Sequence, residues 1–303
     1  MSASRIGRIA KSRLVRYRLA RATNYPPLPT DAHQTKRPTR PPVFVISAGW
    51  RSGSTAVQRL IVSSGEVFVW GEPFPTARLL PRLQRIAAEV GVVDGQPDRT
   101  IAPSQIGPHM STAWIATTNP AASTIMAGIK EMLETVYWTP LQETSFTSWG
   151  IKEVVTTPEQ LRLLAETFPD AHFVCIVRNP ISAYRSFRKF VISGVATKPG
   201  QFAKLEWIKG PRGYSRNWIR VARAFRTYRD DPRFHIFRHE DIAGDPDFPD
   251  ALGQSLGLRL DPAVWRTVVG ATEKRRTTLL ERAEFAIVRS QTRTEAALWD
   301  YKD

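Results

Sequence analysis

Two stretches of this sequence carry side chains suited to gripping an anion. The first is Ser47-Ala48-Gly49-Trp50-Arg51-Ser52-Gly53-Ser54-Thr55. It follows a short apolar run and precedes a segment with helical spacing, so it sits where a strand turns into a helix. Gly49 and Gly53 permit tight turns and close backbone approach. The N–H groups of residues 52–55 would open the helix and face an anion, helped by the helix dipole. Ser52, Ser54 and Thr55 add hydroxyl donors, and Arg51 adds a charge. The loop is not a Walker A motif, because GxxxxGK[ST] is absent and no Lys precedes the Ser/Thr pair. Its plainer reading is a capped strand–helix turn with a solvated Arg. The second stretch is Val177-Arg178-Asn179-Pro180-Ile181-Ser182-Ala183-Tyr184-Arg185-Ser186. Arg178 falls where a strand stops, and Ser186 lies two turns into the next helix. Arg can hold a phosphate through two parallel bonds and Ser can add a third. Taken alone, this stretch reads as an Arg capping a sheet edge and a Ser on a helix face.

The elements that must position these residues are legible from apolar patterning. Val43-Phe44-Val45-Ile46-Ser47 is a continuous apolar run, as expected of a strand buried on both faces. Further strands are expected at 67–70, 149–154, 172–177 and 234–237. Helices are expected near 55–64, 75–90, within 120–137, from 158, at 180–190, at 214–228 and at the C-terminus. Thr157-Pro158 reads as a helix start, with Thr as cap and Pro at the first helical position. Residues 91–109 read as a long surface loop, a common home for functional residues. Strands alternating with helices predict an α/β fold in three layers. Its centre is a parallel sheet of about five strands flanked by helices on both faces. Ligands bind such sheets at the carboxyl ends of the strands, where both motifs fall.

Composition narrows the function classes. The chain has 303 residues and 42 % apolar residues, enough for a sizeable core and unlike a disordered chain. The lone cysteine, Cys175, excludes a disulfide scaffold and a Cys-rich metal site, and points to a reducing compartment. Residues 1–42 hold ten Lys or Arg and a single acid, Asp31, a net +9 of the chain's +15. These residues form a basic tail, with a plausible helix at 5–21, and a Pro-rich linker. Residues 43–303 form the folded body, which is only moderately basic and suits an anionic ligand as well as nucleic acid. No run of about 18 apolar residues is present, and Arg interrupts every apolar run near the start. The expectation is a cytoplasmic protein, with an organelle transit peptide as the open alternative for the Arg-rich start.

Taken together, the two stretches resemble the sulfotransferases that use 3′-phosphoadenosine 5′-phosphosulfate (PAPS). The first matches that family's 5′-phosphosulfate loop, in the R-S-G-[ST]-T form of its bacterial and carbohydrate-acting members. The second matches its 3′-phosphate site. Phe237-Arg238-His239-Glu240-Asp241-Ile242 is similar to its strand followed by E-D-[LI], and Trp149-Gly150-Ile151-Lys152-Glu153 to its W-G-x-K-[ED] segment. The four occur in the family's order across residues 43–242. The resemblance implies a P-loop-like fold in which Arg51, Ser52, Gly53, Ser54 and Thr55 hold the 5′-phosphosulfate. It implies that Arg178 and Ser186 hold the 3′-phosphate, and that PAP is the product. It implies Glu72 as general base, because an attacking hydroxyl must lose its proton. A helix cap after Pro73 is the plainer role for Glu72, and His109 is the rival base. Lys152 would add charge near the acceptor. No metal is implied. Lys274-Arg275-Arg276 stands where many cytosolic members carry R-K-G, without the Gly.

The function expected on this resemblance is transfer of a sulfuryl group from PAPS to a hydroxyl by in-line displacement. The acceptor would be a carbohydrate, a glycolipid or a small natural product. No nucleic-acid partner is expected, and the basic tail would suit peripheral contact with anionic lipid. Two other classes remain. A nucleotide-dependent phosphotransferase would share the sheet but use Mg²⁺ and a P-loop Lys. A non-catalytic binder of membrane or nucleic acid would act through the tail.

Overall fold

The computed structural model describes residues 36–74, 77–94, 100–101, 103–112, 115–116, 118–154, 156–192, 210–266 and 278–301. The basic helix at 5–21, most of the linker and Lys274-Arg275-Arg276 lie outside them. β1 is Val43–Ser47, and all five residues are buried. It leads into α1, Ser54–Val62. β2 is Val67–Trp70 and α2 is Leu79–Asp94. Two short strands, β3 (Thr100–Ile101) and β4 (Asn119–Pro120), pair with each other. α3 is Ala122–Tyr137, β5 is Ser148–Glu153, α4 is Pro158–Thr167 and β6 is His172–Val177. α5 is Pro180–Ile192, α6 is Gly210–Thr227 and β7 is Phe234–Arg238. The chain ends with α7 (His239–Ile242), α8 (Phe248–Leu256), α9 (Pro262–Arg266) and α10 (Leu279–Ala297).

Five strands form one sheet in the order β2-β5-β1-β6-β7, and every pairing is parallel. Alternate residues of each strand reach opposite faces. Phe44, Ile46, Trp149, Ile151, Phe173 and Cys175 join one core with residues of α2, α3, α4, α6 and α10. Val43, Val45, Val174 and Ile176 join the other with α1 and α8. Both faces are therefore covered, as the unbroken apolar runs require. Thr157 caps α4 by accepting the Gln160 N–H at 3.3 Å. The end of the linker is tied to the body: Arg40 pairs with Glu66 at 2.6 Å, and the His172 N–H reaches the Pro42 carbonyl at 2.9 Å.

The helix expected from residue 75 begins at Leu79 instead. Phe74 and Arg78 take left-handed backbone conformations, φ 39° and 55°, which no right-handed helix accommodates. The expected loop at 91–109 is partly structured, since α2 runs to Asp94 and Pro108–Thr112 forms a 3₁₀ turn.

Gly150 is required where β5 passes β1. A Cβ built there would lie 1.7 Å from the Val43 carbonyl oxygen. We expect Gly150→Ala to cost at least the ~1–3 kcal/mol of an over-packed core. A thermal melt checks this, and an unchanged Tm would overturn it. At the amino end of the sheet, His172 Nδ1 and His235 Nε2 lie 3.1 Å apart, with the rings stacked. Burial holds both imidazoles below the ordinary value of 6.5. Arg40 adds to this at His172, and His172 adds to it at His235. Because the folded values are depressed, the unfolded chain binds more protons as pH falls. The stability the pair carries is full above the unfolded value and is lost as pH falls through the folded values. Denaturant midpoints at about pH 7.5 and pH 5 should differ, with a smaller difference in His235→Gln.

Candidate active site

The anion-binding loop hangs between β1 and α1. The Ser47 hydroxyl donates to the Gly49 carbonyl at 3.0 Å, and the Ala48 N–H reaches Ile176 O at 3.0 Å. Arg51 then takes φ 65° and Gly53 φ 90°, so the chain turns sharply twice before the helix. Gly53 caps α1 without any side-chain bond, and no acidic residue stands in the first turn. Among the described residues the opening N–H groups therefore lack the side-chain cap that usually covers them. Ser52 and Ser54 are buried here, and Thr55 is exposed.

The second motif arrives at the same place. Arg178 stands just past β6, which lies beside β1. Its Nη1 donates to the Arg51 carbonyl at 2.5 Å, and its own carbonyl accepts Trp218 Nε1 at 3.0 Å. Asn179 caps α5, with Oδ1 accepting the N–H groups of Ile181 and Ser182. That cap aims α5 so that Ser186 meets the loop, where its hydroxyl accepts Arg51 Nε at 3.1 Å. Residues 127 and 135 positions apart in sequence thus form one cluster.

Four polar atoms around this cluster are buried with no hydrogen-bond partner among the described residues. They are Ser52 Oγ, Arg178 Nε, Tyr214 OH and His239 Nδ1. Buried polar groups are nearly always paired, so four orphans at one loop fit a site shaped for a polyanion. The loop is also closely walled. A Cβ on Gly53 would come within 2.7 Å of His239 Nδ1, and one on Gly49 within 3.4 Å of the Tyr214 hydroxyl. Burial lowers the Arg178 guanidinium, opposed by the Glu240 charge. Burial also lowers His239, with Arg178 adding to the effect, which favours a neutral ring. Burial pushes the Tyr214 hydroxyl far above the ordinary tyrosine value, so it remains a donor.

Glu72 and Lys152 meet at the carboxyl ends of β2 and β5, with Nζ and Oε1 3.7 Å apart and both side chains mostly buried. β5 is the direct neighbour of β1 and β2 lies just beyond it, so the pair stands on the same carboxyl edge of the sheet as the loop. His109 is exposed on its 3₁₀ turn, where its carbonyl accepts the Thr112 hydroxyl. Three residues of the cluster escaped the sequence reading. Tyr214 and Trp218 look like core aromatics of an amphipathic helix. His239 had a signal, since it directly precedes Glu240-Asp241.

Comparison with known proteins gives the family. Residues 41–258 match the sulfotransferase family. No curated protein matches the chain. Among solved structures, a sulfotransferase from Mycobacterium avium superposes with a TM-score of 0.52 at 16 % identity, covering 88 % of this chain and 78 % of that one. The sulfotransferase domain of the curacin biosynthetic pathway is 17 % identical with a TM-score of 0.48, over 88 % and 99 % of the two chains. The sulfotransferase domain of the Synechococcus PCC 7002 olefin synthase is 16 % identical with a TM-score of 0.46, over 92 % and 100 %. On the match of residues 41–258, most of its length, this chain belongs to the sulfotransferase family.

Proposed function

We propose that the protein moves the sulfuryl group of PAPS to an acceptor hydroxyl and releases PAP. The observation that carries this reading is the Arg51–Ser186–Arg178 cluster with its four partnerless polar atoms. When bound, PAPS supplies an activated sulfuryl group on a good leaving group. Ser52, Gly53, Ser54 and Thr55 hold the 5′-phosphosulfate through N–H and hydroxyl donors at the start of α1. Arg178 and Ser186 hold the 3′-phosphate. Arg51, whose guanidinium is exposed beside Ser186, meets the negative charge left on the departing phosphate. Glu72 takes the proton of the attacking hydroxyl. Lys152, 3.7 Å from Glu72, places positive charge where the acceptor oxygen and the sulfuryl oxygens meet. All charge stabilisation then comes from fixed side chains and N–H groups, with no metal required. Catalysis in this scheme is mostly positioning.

The acceptor is a carbohydrate, a glycolipid or a small natural product. Among the described residues no helix is long and apolar enough to cross a membrane. The basic residues of the 1–42 segment would favour contact with anionic lipid and so bring the enzyme to a glycolipid acceptor.

Calorimetry tests the donor. PAP should bind at least tenfold more tightly than the 5′-monophosphate, as expected for about 1.5–3 kcal/mol from charge-assisted contacts. Equal affinities, or binding that needs Mg²⁺, would overturn the reading. Turnover tests the base. Glu72→Gln keeps the shape and removes the basic oxygen, so kcat should fall by about 10²–10⁴ with PAP affinity nearly unchanged. His109→Ala should be close to normal, and the opposite outcome would transfer the role to His109.

A further inference from the structure

Just past α10 the chain returns to the anion site. Tyr301 donates its hydroxyl to Glu240 Oε2 at 2.8 Å, and the other oxygen of Glu240 accepts the Asn179 N–H at 3.0 Å. Asn179 directly follows Arg178, whose carbonyl is held by Trp218. The Arg178–Asn179 junction is thus fixed on one side by Trp218 and on the other by Glu240. Tyr301 lies beyond the residues that match the family, 41–258.

The segment carrying Tyr301 is itself tightly held. α10 is docked through Arg188, which pairs with Glu281 and Glu284, and through Arg226, which pairs with buried Glu295. After α10 the chain turns back through Asp300, φ 58°, and the Tyr301 N–H closes on Ala296 O at 3.1 Å. Arg238 grips Asp241 with two bonds of 2.7 Å, donates to the Trp299 carbonyl and lies over the Tyr301 ring. Burial first, and the Glu240 charge second, push the Tyr301 hydroxyl far above the ordinary tyrosine value, so it stays a donor.

We propose that Tyr301 is a positioning residue for the 3′-phosphate site, acting through Glu240. A carboxylate beside an anion site is a liability. Released, Glu240 could swing to the partnerless Nε of Arg178 and compete with a phosphate for it. The Tyr301 hydroxyl prevents this by occupying Oε2 while Oε1 stays on the Asn179 N–H. The contact thereby keeps Arg178 available and the turn into α5 in place. This inference rests on the nucleotide reading given above.

Removing the Tyr301 hydroxyl should weaken PAP more than the 5′-monophosphate. In Tyr301→Phe, PAP affinity should fall about tenfold, the loss of one charge-assisted contact, while the monophosphate changes less than about twofold. Glu240→Gln can still accept the Asn179 N–H but carries no charge to compete for Arg178. Added to Tyr301→Phe, it should restore PAP affinity to within about threefold of the natural protein. A merely structural tyrosine would lower Tm without moving the ratio of the two affinities, and would not be rescued. Either result overturns the proposal. Exchange of the Asn179 amide in the ligand-free protein gives a readout independent of any nucleotide. It should be at least about tenfold faster in Tyr301→Phe, and an unchanged rate overturns the proposal. If the natural protein binds both nucleotides equally, the donor assignment fails, whereas Asn179 exchange still reports whether Tyr301 holds the junction.

Discussion

The backbone carbonyl of Arg51 accepts Arg178 Nη1, and the rest of the site is arranged around that bond. It joins a loop on the central strand to the end of the neighbouring strand. Arg51 adopts a left-handed conformation to make it, at a cost of roughly 1–2 kcal/mol for a residue with a Cβ. The same turn sends the Arg51 side chain to Ser186. Carbonyl and guanidinium of one residue thus hold both parts of the second motif. Arg178 is half-buried and charged, so it needs partners. It has the Arg51 carbonyl on one nitrogen and the nearby charge of Glu240, with Nε left over. A site so held is ready to receive an anion without much reorganisation, which is what transfer chemistry by positioning requires.

Strand order puts the functional groups on either side of that bond. β1 lies between β5, which brings Lys152, and β6, which brings Arg178. Gly150 lets β5 approach β1 closely, so the glycine of the Trp-Gly segment serves the sheet rather than the ligand. Behind the loop, α6 supplies Tyr214 and Trp218, and α6 is fixed by α10. Glu295 on α10 is buried and shares its carboxylate with Arg223 and Arg226 of α6. Breaking such a pair leaves an uncompensated charge, typically costing about 3–5 kcal/mol. The two helices are consequently coupled, and the segment from α10 to Tyr301 belongs to the same mechanical unit as the loop.

Much of this was legible in the sequence, for local reasons. Val43–Ser47 and His172–Val177 are unbroken apolar runs, and a segment buried on both faces can hardly read otherwise. Thr157-Pro158 announces a helix start because a hydroxyl acceptor and a missing N–H suit the first turn. The turn at 47–55 was legible through its glycines and its place between strand and helix. Each of these signals is complete within about ten residues.

Tertiary structure decided what depends on partners far away along the chain. The start of α2 moved to Leu79 because Phe74 and Arg78 are held left-handed, a conformation their residue types disfavour and only surrounding packing can impose. No local pattern pairs Arg51 with Ser186, Arg178 with the Arg51 carbonyl, or Glu72 with Lys152. Those contacts follow from which strands are neighbours and how each helix crosses the sheet. Tyr214 and Tyr301 carry no distinguishing signal, since a tyrosine on a helix face or near a chain end looks like any other aromatic. Their hydroxyls acquire meaning only where α6 and the end of α10 bring them, one beside Gly49 and the other onto Glu240. The sequence by itself determined the sheet, the loop and the residue types able to bind an anion. Which of those residues share one site was settled by long-range packing, because hydrogen-bond partners are chosen by proximity in space and not by spacing in the chain.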